Sequence, residues 1–151
     1  MFYIWLSEST GTILSAEQLN KLLNDEPREV SVETRNAALD DIDDVVRKYS
    51  FSNWDGAGAL PIGTFVHFNS RIFLKNLPKS IAELPNVIPS RDGAIVFEWY
   101  RNPRKKISVN INPDGNLYFS SLINTAGYNA FEKFQGNVSK VLEDRIKEIV
   151  E

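Results

Sequence analysis

The spacing of apolar positions changes along this chain, from helical in the first half to strand-like in the second. Ala38, Ile42, Val45, Val46 and Tyr49 recur at the helical period. Asp40, Asp41, Asp43, Asp44 and Arg47 fall largely between them. This predicts a helix over about 33–49. A second run predicts a helix over about 64–76, with Phe65, Phe68, Ile72 and Phe73 as its buried face. From residue 94 the period drops to two. Ile95, Phe97 and Trp99 share one side of a strand over 94–100. Ile107, Val109 and Ile111 alternate with Ser108 and Asn110 over 106–112. Further strands are expected over 117–123 and 128–134.

The punctuation between these runs has its own chemistry. Asn112-Pro113-Asp114-Gly115-Asn116 is a hairpin turn: Pro113 presets φ and Gly115 accepts a positive φ. Ala126-Gly127 marks the next turn. Short turns between successive strands imply an antiparallel meander. Residues 77–89 hold Pro78, Pro85 and Pro89 and read as an extended connector. At the end, Leu142, Ile146 and Ile149 stripe a helix over 139–150. At the start, residues 1–6 (MFYIWL) read as a strand. Ser15 and Gln18 have the spacing of a capping box opening a short helix with Leu19, Leu22 and Leu23 on one face.

A sheet with one apolar face needs a cover, and the helices at 33–49 and 64–76 are the natural one. The expected fold is α+β in two layers. A four-stranded antiparallel meander, about 94–134, lies under helices, with an N-terminal strand and helix and a C-terminal helix. The 151 residues suit one domain. Within it, 1–35 read as an N-terminal extension, 36–125 as the core and 126–151 as the final strand and helix.

Composition then narrows the chemistry. There is no cysteine, which removes disulfides, thiol nucleophiles and cysteine metal ligands. Residues 1–6 are too short and lack the basic start of a signal peptide. No run approaches the roughly 20 apolar residues of a membrane span. A cytoplasmic protein without membrane contact is expected. The net charge is −3, unevenly spread. Residues 1–62 hold 11 acids and 5 bases, whereas 63–151 hold 9 acids and 12 bases. An acidic helical half precedes a mildly basic sheet half.

The most distinctive stretch is Asn53-Trp54-Asp55-Gly56-Ala57-Gly58-Ala59-Leu60-Pro61-Ile62. Asp55-Gly56 is a turn signal and Gly58 a second permissive point. Trp54 is large enough to anchor the loop, and Asp55 can bond nearby backbone N–H groups. The segment is either a packed loop between two helices or a binding loop formed by Trp54, Asp55, Gly56 and Gly58. It is not a phosphate loop, because no lysine follows the glycines. The run NWDGAGALPI, then FLKNLP, then IPSRDGAIVFEW resembles a widespread group of small bacterial proteins sharing WDGxGAxP, FLxxLP and a dGxIxxEW strand. The resemblance covers about residues 36–125. It implies a prokaryotic or phage origin and brings no catalytic residue with it.

Three other clusters hold candidate chemistry. Arg101, Arg104, Lys105 and Lys106 form a basic turn near Trp99, Tyr100 and Tyr118. Basic groups pair with phosphates and aromatic rings stack on bases, so this turn could meet nucleic acid. It could equally be a solvated hairpin. Asp40 and Asp44 share a helix face at i, i+4. They could dock a basic partner, though they lack the loop carbonyls a hard cation wants. His67 is the only histidine, which excludes multi-histidine metal sites. His67 with Ser70 or Asp55 drafts a triad, but no nucleophile-elbow pattern supports it.

These readings favour a small non-catalytic interaction module with a protein partner, of antitoxin, immunity or host-inhibitor type. Nucleic-acid binding through the 101–106 hairpin is the alternative. A carboxylate enzyme using Asp55 and Glu98 is the second alternative. No cofactor or metal is expected. An exposed sheet face carrying Tyr100, Tyr118 and Ser120 would also serve to pair two copies.

Overall fold

A computed structural model describes residues 15–17 and 30–151. The expected strand at 1–6 lies outside the described residues, as does all but the first turn of the helix from Ser15.

Ser31 caps the first long helix, α1 (Val32–Tyr49), by accepting a hydrogen bond from Thr34 N–H at 3.1 Å. Ala38 and Ile42 of its expected stripe are buried, and so is Leu39 beside them. The next helix, α2 (Thr64–Lys75), runs where the spacing placed it but is rotated. Val66, Asn69, Ser70, Phe73 and Leu74 face inward. Phe65 and Phe68, expected in the core, are 54% and 61% exposed. Two overlapping apolar stripes existed on this helix. The one continuous with Leu77 was chosen, because Leu77 and Ile81 beyond it are also buried.

Among the described residues the sheet has five strands, not four: β1 (Asn86–Pro89), β2 (Ile95–Asn102), β3 (Lys105–Ile111), β4 (Asn116–Ile123) and β5 (Ala126–Lys133). All pair antiparallel in sequence order. The added strand lies in the proline-bearing connector. Its four residues are too few to show alternation, and pairing with β2, Val87 opposite Phe97 and Pro89 opposite Ile95, is what defines it. An edge position tolerates its proline.

One face of the sheet is covered. Ile95, Phe97, Trp99, Ile107, Val109, Ile111, Leu117 and Phe119 are buried there. Phe73 of α2 stacks on Phe97 with ring centroids 5.0 Å apart. The cover is wider than the two expected helices. The last helix, α3 (Lys140–Val150), lies across β2, β3 and β4, burying Leu142, Ile146 and Ile149. The helix α2 lies over β2 and β3, and α1 packs on α2 and β1. No helix among the described residues is long and apolar enough to cross a membrane.

Candidate functional site

The loop 53–62 is closed by its own hydrogen bonds. Asn53 takes φ 60, Gly56 φ 74 and Gly58 φ 89, so the chain turns sharply at three points. Asn53 Oδ1 accepts from Gly58 N–H at 2.7 Å. Asp55 Oδ1 accepts from Ala57 and Ala59 N–H at 2.8 and 3.0 Å. Gly56 N–H donates to Asn53 O, and Leu60 N–H donates to Arg91 O. Every N–H from Gly56 to Leu60 is therefore used inside the protein, leaving no backbone nest for an anion.

Side chains pin this ring to its neighbours. Trp54 Nε1 donates to Leu60 O at 2.9 Å, and its ring lies 4.8 Å from Tyr49. Arg91 pairs with Asp55 and donates to Ala57 O, tying the loop to the turn before β2. The N–H of Ala57 leads the groups that hold the Asp55 carboxyl below the ordinary carboxylate range. Burial pushes it the other way, and the Ala59 N–H and Arg91 add to the lowering. A carboxylate so occupied is a structural acceptor rather than a base poised for proton transfer.

The drafted triad does not assemble. His67 Nε2 meets Asp43 Oδ1 at 2.6 Å, and Arg71 donates to both Asp43 oxygens at 2.7 Å. Ser70 is fully buried, and its hydroxyl has no hydrogen-bond partner among the described residues. Burial works to raise the Asp43 carboxyl. The hydrogen bonds and charges of His67 and Arg71 outweigh it and hold the group low. Within the acidic run, then, it is Asp43 that ties α1 to α2. The sequence held a signal for this, since Asp43 follows Ile42 at the rim of the apolar stripe. Asp44 pairs with Arg47, and Asp40 is exposed. No group of three or more His, Cys, Asp or Glu side chains able to hold a metal gathers among the described residues.

The basic turn divides in two. Arg101 points to the covered side and serves the C-terminus of α3. Its Nε donates to Ile149 O at 3.3 Å and its terminal nitrogen to Val150 O at 2.9 Å, while Glu83 closes an ion pair at 2.6 Å. A cation at orphan helix carbonyls is favourable. Arg104 and Lys106 remain exposed, and Lys105 is half-buried.

The described residues leave the other face of the sheet open. No described helix packs on it. By register it carries the pair Asn116 and Lys133 and three longer cross-strand rows. One joins Ile88, Val96, Asn110, Tyr118 and Phe131. The next joins Asn86, Glu98, Ser108, Ser120 and Asn129. The last joins Tyr100, Lys106, Leu122 and Gly127. Ile88, Tyr100, Tyr118 and Phe131 are 38%, 49%, 42% and 67% exposed. Tyr118 and Phe131 stack at 5.6 Å. Beside them Ser108, Asn110, Ser120 and Asn129 line a shallow depression of about 390 Å³. Phe131 and Ile88 were not singled out from sequence. The signal for Phe131 was its phase, opposite to that of Tyr128 and Ala130.

No family model matches this chain, and neither a curated protein nor a solved structure matches it.

Proposed function

We propose that this chain is a non-catalytic protein–protein interaction module, of prokaryotic or phage antitoxin, immunity or host-inhibitor type, and that it engages its partner through the open sheet face. The supporting observation is the grouping there of Ile88, Tyr100, Tyr118 and Phe131, exposed on the face that no described helix covers. Aromatic anchors beside hydrogen-bonding groups suit a protein interface. Single exposed apolar residues are ordinary, but Tyr118 and Phe131 are stacked neighbours, and Ile88 and Tyr100 share their face across the sheet. The experiment is capture from cells of origin with nuclease present, comparing the native chain with the pair Tyr118→Asp and Phe131→Asp. The native chain should hold a stoichiometric protein that the folded double variant loses. A partner retained by that variant would move the interface elsewhere.

A second reading rests on Tyr100 and Lys106, which sit opposite one another on this face beside Arg104. Stacking rings next to cations suit single-stranded nucleic acid. In that case affinity would fall steeply with salt and weaken on Arg104→Glu with Lys106→Glu. Salt-independent or absent binding removes this reading.

A further inference from the structure

The two edges of the sheet are unlike. The strand β1 has four residues and ends in Pro89, whose nitrogen offers no hydrogen bond to a further strand. The strand β5 has eight residues, no proline and an unbroken register with β4. No described strand follows it on its far side.

Ladder alternation identifies which groups of β5 face outward. In an antiparallel pair, opposed residues alternate between those exchanging both backbone bonds and those exchanging none. Phe134 N–H donates to Gly115 O at 3.0 Å, one step beyond the opposed pair Asn116 and Lys133. The bonded pairs further in are therefore Leu117 with Glu132, Phe119 with Ala130 and Ser121 with Tyr128. Gly127, Asn129, Phe131 and Lys133 turn their N–H and C=O groups away from β4, and all four residues are exposed.

We propose that this edge pairs with the same edge of a second copy of the chain, antiparallel about a two-fold axis through Ala130, joining two five-stranded sheets into one. Register carries the argument. The outward residues alternate along the strand, so they meet one another only when the axis passes through a residue. With the axis at Ala130, Gly127 opposes Lys133 and Asn129 opposes Phe131, on both halves. All four outward residues of each copy then find bonded partners. An axis at Asn129 strands Lys133, and one at Phe131 strands Gly127.

Side chains accept the same register. Lys133 faces Gly127 and Glu132 faces Tyr128, so no like charges are opposed, and like charges directly opposite would cost stability. The two Ala130 side chains meet at the axis, where a small residue fits. On the open face Phe131 lies diagonal to Phe131 of the second copy, within reach of an aromatic ring. An isologous contact of this kind closes after two copies and cannot propagate. The assembly would double the open face, and it stands independently of the partner proposed above.

The test uses the purified full chain alone, so its failure is separable from failure of the partner reading. Sedimentation over a range of concentrations should show a dimer. The Asn129→Pro variant removes an outward N–H and no bond to β4, a placement that edge strands tolerate. It should sediment as a folded monomer. Because the chain has no cysteine, Ala130→Cys introduces a single thiol at a non-bonded pair, where Cβ atoms lie roughly 4.5–5.5 Å apart. Mild oxidation should lock it as a disulfide dimer, while a Phe68→Cys control should not cross-link. A native chain that is monomeric throughout, a dimer that survives Asn129→Pro, or an Ala130→Cys that cross-links no better than the control would overturn the proposal. Should Asn129→Pro fail to fold, the Ala130→Cys comparison decides. A monomer that instead takes up an unrelated extended peptide along β5 also overturns self-pairing.

Discussion

Gly93 stands so close to Pro61 that a Cβ built on it would lie 3.1 Å from the Pro61 carbonyl oxygen, and 3.3 Å from the Pro113 ring. Its φ is +85, which L side chains rarely adopt. Here the turn before β2 meets both the 53–62 loop and the β3–β4 turn. Gly93→Ala should destabilise by about 2–5 kcal/mol, combining roughly 1–2 for backbone conformation with 1–3 for overlap. Gly56→Ala shares the positive φ but would meet nothing within 4 Å, so it should cost only about 1–2. Urea unfolding of the two variants checks the order, and equal losses would show that the close approach is unimportant.

The Asp55 carboxylate carries a pH signature. Its folded pKa is lowered, first by the Ala57 N–H, against burial, with Ala59 and Arg91 adding to the effect. A lowered acid contributes stability that is fully present above its unfolded pKa, about 3.9, and lost as pH falls through the folded value. Asp43 and Glu143 are lowered too and act in the same direction. The Asp55→Asn variant should therefore be less stable than the native chain at neutral pH, and the gap should narrow as the solution is acidified below about pH 4. Stability curves that stay parallel through that window would rule the assignment out.

Arg101 and Arg104 lie three residues apart and should respond unequally to truncation. Arg101→Met removes contacts to two terminal carbonyls of α3 and to Glu83. Its side chain is 40% exposed, so solvent screening limits the loss to about 1 kcal/mol. Arg104→Met should fall within about 0.5 kcal/mol of the native chain. Thermal unfolding of both variants measures the contrast.

The stacked pair Tyr118 and Phe131 should matter little for folding and much for binding. Each single change to Ser is expected to cost about 0.2–1 kcal/mol, with the pair coupled by about 0.5–1.5 in a double-mutant cycle. Either change should weaken partner capture. A loss of several kcal/mol of stability from one change would mark this face as part of the fold's support.

The sheet's later strands, both long helices and the Asn112-Pro113-Asp114-Gly115 turn were legible because their determinants are local. Alternation, helical spacing and a proline–glycine pair act within a few residues of one another. The turns at Gly56 and Gly58 were legible in the same way, whereas the positive φ of Asn53 was not. That Asp55 binds Arg91 was not, since the two are brought together only when the loop packs on the turn before β2. The strand β1 escaped notice because four residues carry no period, and only pairing with β2 makes them a strand.

The sequence by itself therefore determined which segments are helical or extended and which turns join them, because those choices rest on near-neighbour sterics and hydrogen bonding. Tertiary structure decided which way each element faces. It turned Phe65 and Phe68 outward and Val66, Phe73 and Leu74 inward, laid α3 beside the other helices on the sheet, and sent Arg101 to carbonyls 48 and 49 residues away. An amphipathic stripe records that a face will be buried. What buries it depends on the shape and area of surfaces distant in the chain, and those exist only once the elements pack.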